Sequence, residues 1–377
     1  MKIKILFVIT TFQKDGPGNY LKYIIKYMDR EKFDIYACCL YNTGEIENEL
    51  KNLGVSVFTF NMRYFLSLSI ILKLRDLIGK IKPDIVNTIL LRTDLYGRIA
   101  AIGKTKIIFS TILNQDDYRK KRNIKEKVLM SIDEYLSNQH TDKIFVEANE
   151  VKKYCLEYQN IDEDKYFVIP SLIDTNEIGS DIICTPFKRE RIIIGTAGRL
   201  HEQKGQKYLI AAFNVLYKKY NNMVLYIYGK GELEESLKKS VIDYGIEDRV
   251  KFKGYSNDLY RSLSEMDIYV MPSMWEGGAP ISVLSSMALG LPVISNRVGG
   301  IQEFIENLEE GILIDVTCEK EIVEKLIHAI EFMIDNKETS IKMGVSAKEK
   351  VNNRFSAEKV SKLYQEKCIE QYYLKSK

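Results

Sequence analysis

Short apolar runs alternate with amphipathic segments along the whole chain. Residues 4–10 form an apolar run, a polar turn with glycines follows at 13–19, and apolar residues then recur with i, i+3, i+4, i+7 spacing from Leu21 to Met28. This order is typical of a strand, a loop and a helix. Further apolar runs predict strands at 33–40, 55–60, 84–88 and 106–111. Strands that alternate with helices indicate a parallel sheet covered by helices on both faces.

A second cycle of the same kind begins after residues 170–185, which show no clear period. The apolar run RIIIGTA at 191–197 predicts a buried strand that leads into a loop and a helix. Later runs predict strands at 223–228, 250–252, 268–271 and 292–295. We therefore expect two doubly wound α/β domains, residues 1–175 and 176–355, and a last helical segment, 356–377, that crosses back onto the first domain.

Composition and charge narrow the class of protein. The 377 residues are 45% hydrophobic and 28% charged, which suits two globular cores and excludes a disordered or collagen-like chain. A net charge of +3 is too small to mark a nucleic-acid partner. The best apolar run, FLSLSIIL at 65–72, is far shorter than the roughly 20 residues that cross a bilayer. The first residues also lack a secretory h-region, so we expect a cytoplasmic protein.

The residues that commonly bind metal ions are scattered. None of the six cysteines forms a C-x-x-C pair, which favours core thiols in a reducing cytosol. The three histidines lie far apart, which argues against a zinc site. The one D-x-D spelling, Asp162–Asp164, falls in the polar stretch NIDEDK and is typical of a solvated turn. We therefore expect neither a metal nor a cofactor.

The loop GRLHEQKG, residues 198–205, is the first candidate for chemistry. Ligands of open α/β sheets lie outside the carboxyl ends of the strands, where this loop falls. Arg199 can bind two phosphate oxygens at once and Lys204 supplies a point charge, while the flanking glycines allow close backbone approach. A helix N-terminus that follows favours an anion as well. The alternative is a solvated loop whose charges have no ligand.

The second candidate is the segment WEGGAPISVLSSMALGLP, which starts at Trp275. Pro280 suits a first helical position, because its missing N–H costs nothing there. Glu276 at the rim of this helix start would repel a phosphate, so a hydroxyl-rich group such as a sugar is its more suitable partner. Alternatively, Glu276 only caps the helix. Similar glycine turns occur at 298–300 and at 15–19.

These motifs together resemble a known family. In order, GRLHEQKG, GKGE, KFKGY, EGGAP, SSMALGLPVIS and GGIQEF are similar to the nucleotide-sugar half of glycosyltransferase family 4. PDIVNTILLRTDLYGRIAA and IIFSTILNQDDY match segments of its first half, so the resemblance covers nearly the whole chain. It implies two facing Rossmann-like domains (the GT-B fold) and a metal-independent, retaining transfer of a sugar. The donor is a nucleotide-sugar, most often of UDP, and the acceptor is a glycan or lipid-linked molecule of surface polysaccharide synthesis.

The resemblance also implies roles for single residues. Arg199 and Lys204 would hold the donor diphosphate, and Glu276 would contact the hydroxyls of the donor sugar. Tyr255 and Ser256 would lie near the base. The remaining donor-binding positions would be Gly16, Gly18, Gly198, Gly277, Gly278, Ala279, Ile281, Ser282 and Ser285.

The chain also departs from the family pattern. Ser285 stands where a second glutamate usually reaches the ribose, and Leu113 stands where a histidine is common. A frequent histidine pair falls on Asn87 and Ile89, and the usual NGID reads SLID at 171–174. Two alternatives therefore stay open: a catalytically silent nucleotide-sugar-binding partner subunit, and a nucleotide-sugar epimerase, for which the chain has few histidines.

The segment 118–127, YRKKRNIKEK, carries six basic residues and one acidic residue just before an apolar triplet. Such a run can rest on an anionic membrane or meet a lipid diphosphate. We therefore expect Arg119–Lys127 to allow peripheral contact at the inner face of the membrane. An ordinary solvated helix face is the alternative reading.

Overall fold

The computed structural model describes residues 2–63, 67–113, 124–316 and 318–376. The chain divides into two compact units. Unit 1 consists of Met1–Leu172 and Ala357–Lys377, and unit 2 is the segment between them, Ile173–Ser356.

Unit 1 contains a seven-stranded, fully parallel sheet in the order β3-β2-β1-β4-β5-β6-β7. Its strands are β1 Ile3–Ile9, β2 Phe33–Cys39, β3 Ser56–Thr59, β4 Ile85–Ile89, β5 Ile107–Ile112, β6 Lys143–Val146 and β7 Tyr166–Val168. The helices between them are α1 Gly16–Lys26, α2 Ile46–Asn52, α3 Leu68–Ile81, α4 Leu91–Ala101, α5 Ile124–His140 and α6 Asn149–Tyr158. Helices pack on both faces, as the alternating pattern predicts.

Unit 2 repeats the design with a six-stranded parallel sheet in the order β10-β9-β8-β11-β12-β13. The strands are β8 Ile192–Ala197, β9 Met223–Tyr228, β10 Val250–Gly254, β11 Ile268–Met271, β12 Val293–Asn296 and β13 Ile312–Ile314. The helices are α7 Gln206–Leu216, α8 Glu234–Tyr244, α9 Leu259–Ser264, α10 Ile281–Leu289, α11 Ile301–Phe304, α12 Glu319–Asp335 and α13 Lys337–Lys350. Two parallel sheets confirm the predicted doubly wound α/β class.

The last helix, α14 (Ala357–Ser376), belongs to unit 1. The Ser361 hydroxyl donates to the carbonyl oxygen of Ile24 on α1 at 2.7 Å. The Asn87 side-chain amide donates to the hydroxyl of Tyr364 at 2.9 Å. Tyr364 is fully buried in the core of unit 1. These contacts confirm the predicted return of the C-terminal helix to the first domain.

A buried ionic cluster connects α4, α5 and β5 in unit 1. Arg98 forms an ion pair with Asp133, lies 3.8 Å from Asp94, and donates to the Ser110 hydroxyl at 2.7 Å. Burial and, to a lesser extent, nearby Asp133 raise the pKa of Asp94 to about 7, against the opposing effect of Arg98. Since one guanidinium compensates one carboxylate, the second acid favours its neutral form.

Several smaller expectations can be compared with the structure. All six cysteines are free, and four are buried, but Cys184 is half-buried and Cys318 is exposed, so the expectation of core thiols is wrong for these two. Asp162 and Asp164 are exposed beside a short 3₁₀ turn, as expected. Most of the basic segment Arg119–Lys127 lies outside the described residues. Across the part of the chain that the structure describes, no helix has the length and apolarity to cross a membrane.

Candidate active site

The candidate site lies at the carboxyl end of the sheet in unit 2. Strand β8 ends at Ala197, and the loop after it forms a 3₁₀ turn, Glu202–Lys204, before α7. Gly205 joins turn and helix in the left-handed region, with φ of 64°, and a Cβ there would lie 2.1 Å from the carbonyl oxygen of Pro272. This position therefore requires glycine. The close approach brings the loop after β8 against the loop after β11.

A buried ion pair connects the two loops. The Lys204 ammonium lies 2.5 Å from the Glu276 carboxylate, and only 16% and 7% of these side chains are exposed. The carboxylate is therefore directed at Lys204, and the N-cap of α10 is Pro280, without a side-chain cap. The alternative that Glu276 caps this helix is thus wrong. The sequence predicts Pro280 at the first helical position, whereas it occupies the N-cap, one residue earlier.

Arg199 follows the same strand and is exposed. Its guanidinium donates to the side-chain oxygen of Gln203 at 3.4 Å, and its carbonyl oxygen accepts from the Gln206 amide at 3.0 Å. The Gln203 amide in turn donates to Glu276 at 3.4 Å. Arg199, Lys204 and Glu276 thus belong to one connected group, although the sequence alone leaves their contacts open.

His201 has a structural role in this loop. Its Nδ1 accepts from the backbone N–H of Gln203 at 3.1 Å, so it caps the 3₁₀ turn. The proton of the neutral ring therefore lies on Nε2, which is 3.5 Å from the Glu232 carboxylate. Glu232 belongs to the GKGE motif, whose Lys230 carbonyl oxygen accepts from the backbone N–H of Leu200 at 3.0 Å. The motif thus holds the loop after β8 in place.

The glycine-rich segment after Glu276 packs against the third glycine turn. The Gly277 carbonyl oxygen accepts from the backbone N–H of Gly300 at 2.6 Å. Gly299 has φ of 54°, and a Cβ there would lie 2.1 Å from the Glu276 carbonyl oxygen. The Ser282 hydroxyl accepts from the Tyr269 hydroxyl at 2.7 Å. The predicted donor-binding positions that lie with them on this loop and the first turn of α10 are Gly278, Ala279 and Ile281.

The other predicted donor positions of unit 2 are distributed around this group. Gly198 starts the loop after β8. Tyr255 and Ser256 follow β10, where Tyr255 is 67% exposed and the Ser256 hydroxyl bonds to that of Ser262 at 2.7 Å. Ser285 lies inside α10 and is only 1% exposed. Its contact with a ribose stays a prediction.

Gly16 and Gly18 lie at the start of α1 in unit 1. The backbone N–H of Gly18 donates to the Asp15 carboxylate at 2.9 Å, and a Cβ on Gly18 would lie 1.9 Å from the Gln13 carbonyl oxygen. The turn itself therefore requires glycine at 18, and contact of either glycine with a donor stays a prediction.

The positions that carry histidines in the resembled family are core positions in unit 1. The Asn87 oxygen accepts from the Thr111 hydroxyl at 3.1 Å, and Ile89 is fully buried. Leu113 packs against the same core. These side chains stabilise the fold of unit 1 in this arrangement.

Gln203 is the residue that sequence reasoning missed. It is 8% exposed and contacts three groups of the site. A neutral amide in a charged loop has no distinctive spacing, and its burial cannot be read from the sequence. Its only sequence signal is its place directly before Lys204.

Family models match both halves of the chain. The family "Glycosyl transferases group 1" matches residues 184–350, and "Glycosyltransferase Family 4" matches residues 14–177. The chain is 26% identical over 358 residues to the UDP-Gal:alpha-D-GlcNAc-diphosphoundecaprenol alpha-1,3-galactosyltransferase of Escherichia coli. The aligned region covers 89% of this chain and 90% of that protein. It is 30% identical over 172 residues to the lipopolysaccharide core biosynthesis glycosyltransferase LpsE of Rhizobium meliloti (46% and 48% of the two chains).

Solved structures share the fold at low sequence identity. Anabaena HepE in complex with UDP has a TM-score of 0.81 and 17% identity, with 98% of this chain and 100% of that chain covered. Sucrose-phosphate synthase of Thermosynechococcus elongatus has a TM-score of 0.76 and 15% identity, with 99% and 100% covered. Since both halves of the chain match in order and the fold agrees throughout, the protein belongs to glycosyltransferase family 4 and has the GT-B fold.

Proposed function

We propose that this glycosyltransferase moves a sugar, with retention of anomeric configuration, from a UDP-sugar to a hydroxyl of a glycan or lipid-linked acceptor in surface polysaccharide synthesis. The connected group of Arg199, Lys204 and Glu276 at the carboxyl end of the unit 2 sheet is the observation that carries this proposal. The E. coli relative supports it, because its name specifies a UDP-sugar donor and a lipid-linked acceptor. HepE, whose structures contain UDP and UDP-glucose, supports the choice of nucleotide.

The charges of the site suit the proposed reaction. The bond between C1 of the sugar and the diphosphate oxygen breaks, the acceptor oxygen bonds to C1 on the same face, and the acceptor proton passes to the leaving phosphate. Negative charge then grows on the diphosphate, where Arg199 and Lys204 stabilise it. Lys204 has three N–H donors, so it can hold Glu276 and a phosphate oxygen together. Glu276 accepts hydrogen bonds from the sugar hydroxyls.

We infer that the transfer needs no metal ion. The two side-chain cations offset the charge that a divalent ion would otherwise neutralise on the leaving diphosphate. The transfer rate should therefore be unchanged in EDTA. Recovery of a lost rate on addition of Mg²⁺ or Mn²⁺ would contradict this point.

We also propose a peripheral position at the inner face of the membrane. Helix α5 begins within the basic run Arg119–Lys127 and exposes three apolar side chains on one side. These are Val128, Ile132 and Tyr135, which are 53%, 42% and 63% exposed. Apolar side chains beside a basic run suit an anionic lipid surface. The protein should sediment with vesicles that contain phosphatidylglycerol. It should remain in the supernatant with vesicles of phosphatidylcholine alone. Changing Val128 and Ile132 to serine should weaken this binding.

One assay tests the function. The protein is incubated in EDTA with UDP-, GDP- and TDP-sugars, and nucleotide release is followed with and without lipid-linked acceptors. Acceptor-dependent release from one donor supports the proposal. Binding of a nucleotide-sugar without turnover favours the silent partner subunit, which the departures at Ser285 and Leu113 motivate. Conversion of the sugar without nucleotide release favours an epimerase.

A further inference from the structure

Gln203 is held firmly at the centre of the candidate site. Its backbone N–H donates to His201 at 3.1 Å, and its carbonyl oxygen accepts from the backbone N–H of Met274 at 2.7 Å. The first bond fixes the residue within its own turn, and the second ties it to the loop after β11. These two backbone hydrogen bonds fix the position of the Gln203 main chain independently of its side chain.

Both ends of its side-chain amide have partners. The nitrogen donates to the Trp275 carbonyl oxygen at 3.0 Å and to the Glu276 carboxylate at 3.4 Å. The oxygen accepts from the Arg199 guanidinium at 3.4 Å. A reversed amide would place its oxygen against two acceptors and its nitrogen against a cation. The orientation of the amide is thus determined by its surroundings.

This arrangement gives each oxygen of Glu276 its own donor. Lys204 contacts Oε1 and Gln203 contacts Oε2. A single contact with a flexible lysine would leave the carboxylate plane free to rotate, whereas two donors on different oxygens restrict it. Because the amide is neutral, it orients Glu276 without cancelling the charge that the carboxylate offers to sugar hydroxyls.

We propose that Gln203 is a positioning residue, which aims the Glu276 carboxylate at the donor sugar and connects it to Arg199. This inference rests on the proposed function, in which Glu276 contacts the sugar. It assigns Gln203 an effect on sugar transfer and only a small effect on the affinity for the nucleotide alone.

Two variants separate this role from simple packing. Gln203→Met keeps the length of the side chain but removes the donor and the acceptor. We expect kcat/KM for the UDP-sugar to fall about 10- to 100-fold, the usual range for losing a hydrogen bond to a charged group, with the dissociation constant of UDP changed by less than about threefold. Gln203→Glu keeps the acceptor towards Arg199 but opposes Glu276 with a second carboxylate. It should lose at least as much kcat/KM as Gln203→Met.

A double-variant cycle tests whether Gln203 acts through Glu276. In a Glu276→Ala background, Gln203→Met should cause no further loss, because the group that it positions is gone. The control is Gln365→Met on α14 in unit 1. The Gln365 side-chain amide also bonds at both ends, since it accepts from the backbone N–H of Asp29 and donates to the Tyr27 carbonyl oxygen. This control should keep wild-type kinetics.

The outcomes are distinguishable. Wild-type kinetics in Gln203→Glu, or equal losses from Gln203→Met with and without Glu276, overturn the inference and leave the proposed function standing. Failure of the wild type to release nucleotide from any donor overturns the proposed function and this inference with it.

Discussion

At the scale of single residues, the ion pair of Lys204 with Glu276 joins the loop after β8 to the loop after β11 in unit 2. A lysine with most of its side chain buried is stable when an anion lies beside it, and here that anion is a second group of the candidate site. The pair holds the ammonium at the carboxyl end of the sheet. In the proposed function, this pair would supply both a cation for the diphosphate and an acceptor for the sugar.

The role of the cation can be tested directly. Lys204→Ala should lower kcat by about 10²–10³-fold, the usual cost of removing one group that stabilises developing charge. The matched control is Lys207→Ala, which removes an exposed lysine from the next helix, α7. It should stay within about twofold of the wild type. Nucleotide release under saturating donor measures both rates, and similar rates in the two variants would contradict the assigned role.

At the scale of elements, the stability of unit 1 depends on a helix from the far end of the chain. Tyr364 on α14 is fully buried, and its ring lies 5.9 Å from that of Phe7 on β1 and 5.2 Å from that of Phe145 on β6. It also bonds to Asn87 on β4. One side chain of the last helix therefore contacts three strands of the sheet, β1, β4 and β6.

Tyr364→Ala should destabilise unit 1 by about 3–5 kcal/mol, the usual cost of removing a buried aromatic ring. The thiol of Cys368, one turn further along α14 and fully buried, should then react faster with a thiol reagent. Peptide mapping after timed labelling measures this rate, with exposed Cys318 as internal reference. Tyr373→Ala on the same helix, where the ring is 62% exposed, should change nothing. Unchanged Cys368 labelling in Tyr364→Ala would refute the dependence.

The buried cluster between α4 and α5 predicts a dependence of stability on pH. The pKa of Asp94 is about 7 in the folded chain and 3.8 in the reference state. The native state therefore binds more protons between these values, and this group's contribution to stability falls as the pH rises through them. The slope is at most about 1.4 kcal/mol per pH unit.

Asp94→Asn removes this titration. Between about pH 5 and about pH 7, the melting temperature of the wild type should therefore fall relative to that of the variant. Asp76→Asn on α3, where the carboxyl is 63% exposed, is the control and should follow the wild type. Parallel curves for the wild type and Asp94→Asn would show that Asp94 titrates normally.

At the scale of the whole molecule, the sequence predicts much of the fold because alternating apolar runs and helical periods are local signals. It misses β6, β7 and β13, which have four, three and three residues. Strands this short carry a weak local signal, so they are predicted only in part: β11 and β12 also have four residues and are predicted. It names Arg199, Lys204 and Glu276 through loop motifs but not their contacts, because 72 residues separate Lys204 from Glu276. The contacts of Gln203 and the ion pair of Arg98 with Asp133 on α5 are set by tertiary packing, so no local pattern predicts them.

Hydrogen exchange on the full chain can map the donor site with no acceptor in the sample. UDP should protect backbone amides at 198–206 and 274–282 in unit 2, and those at 15–19 in unit 1 if Gly16 and Gly18 contact the diphosphate. At a UDP concentration about 100 times the dissociation constant, exchange through the free state should slow about 100-fold. A UDP-sugar should add protection near Glu276 only.

The internal control for this map is the turn at 162–165, which precedes β7 and therefore lies at the amino end of the unit 1 sheet. Its amides should exchange equally with and without nucleotide, because ligands of parallel sheets bind at the carboxyl ends. Protection at 198–206 without protection at 15–19 would remove the glycines of unit 1 from the donor site and keep Arg199 and Lys204 in it. Protection confined to other segments would contradict the assignment of the unit 2 loops, since a bound diphosphate must cover the amides that surround it.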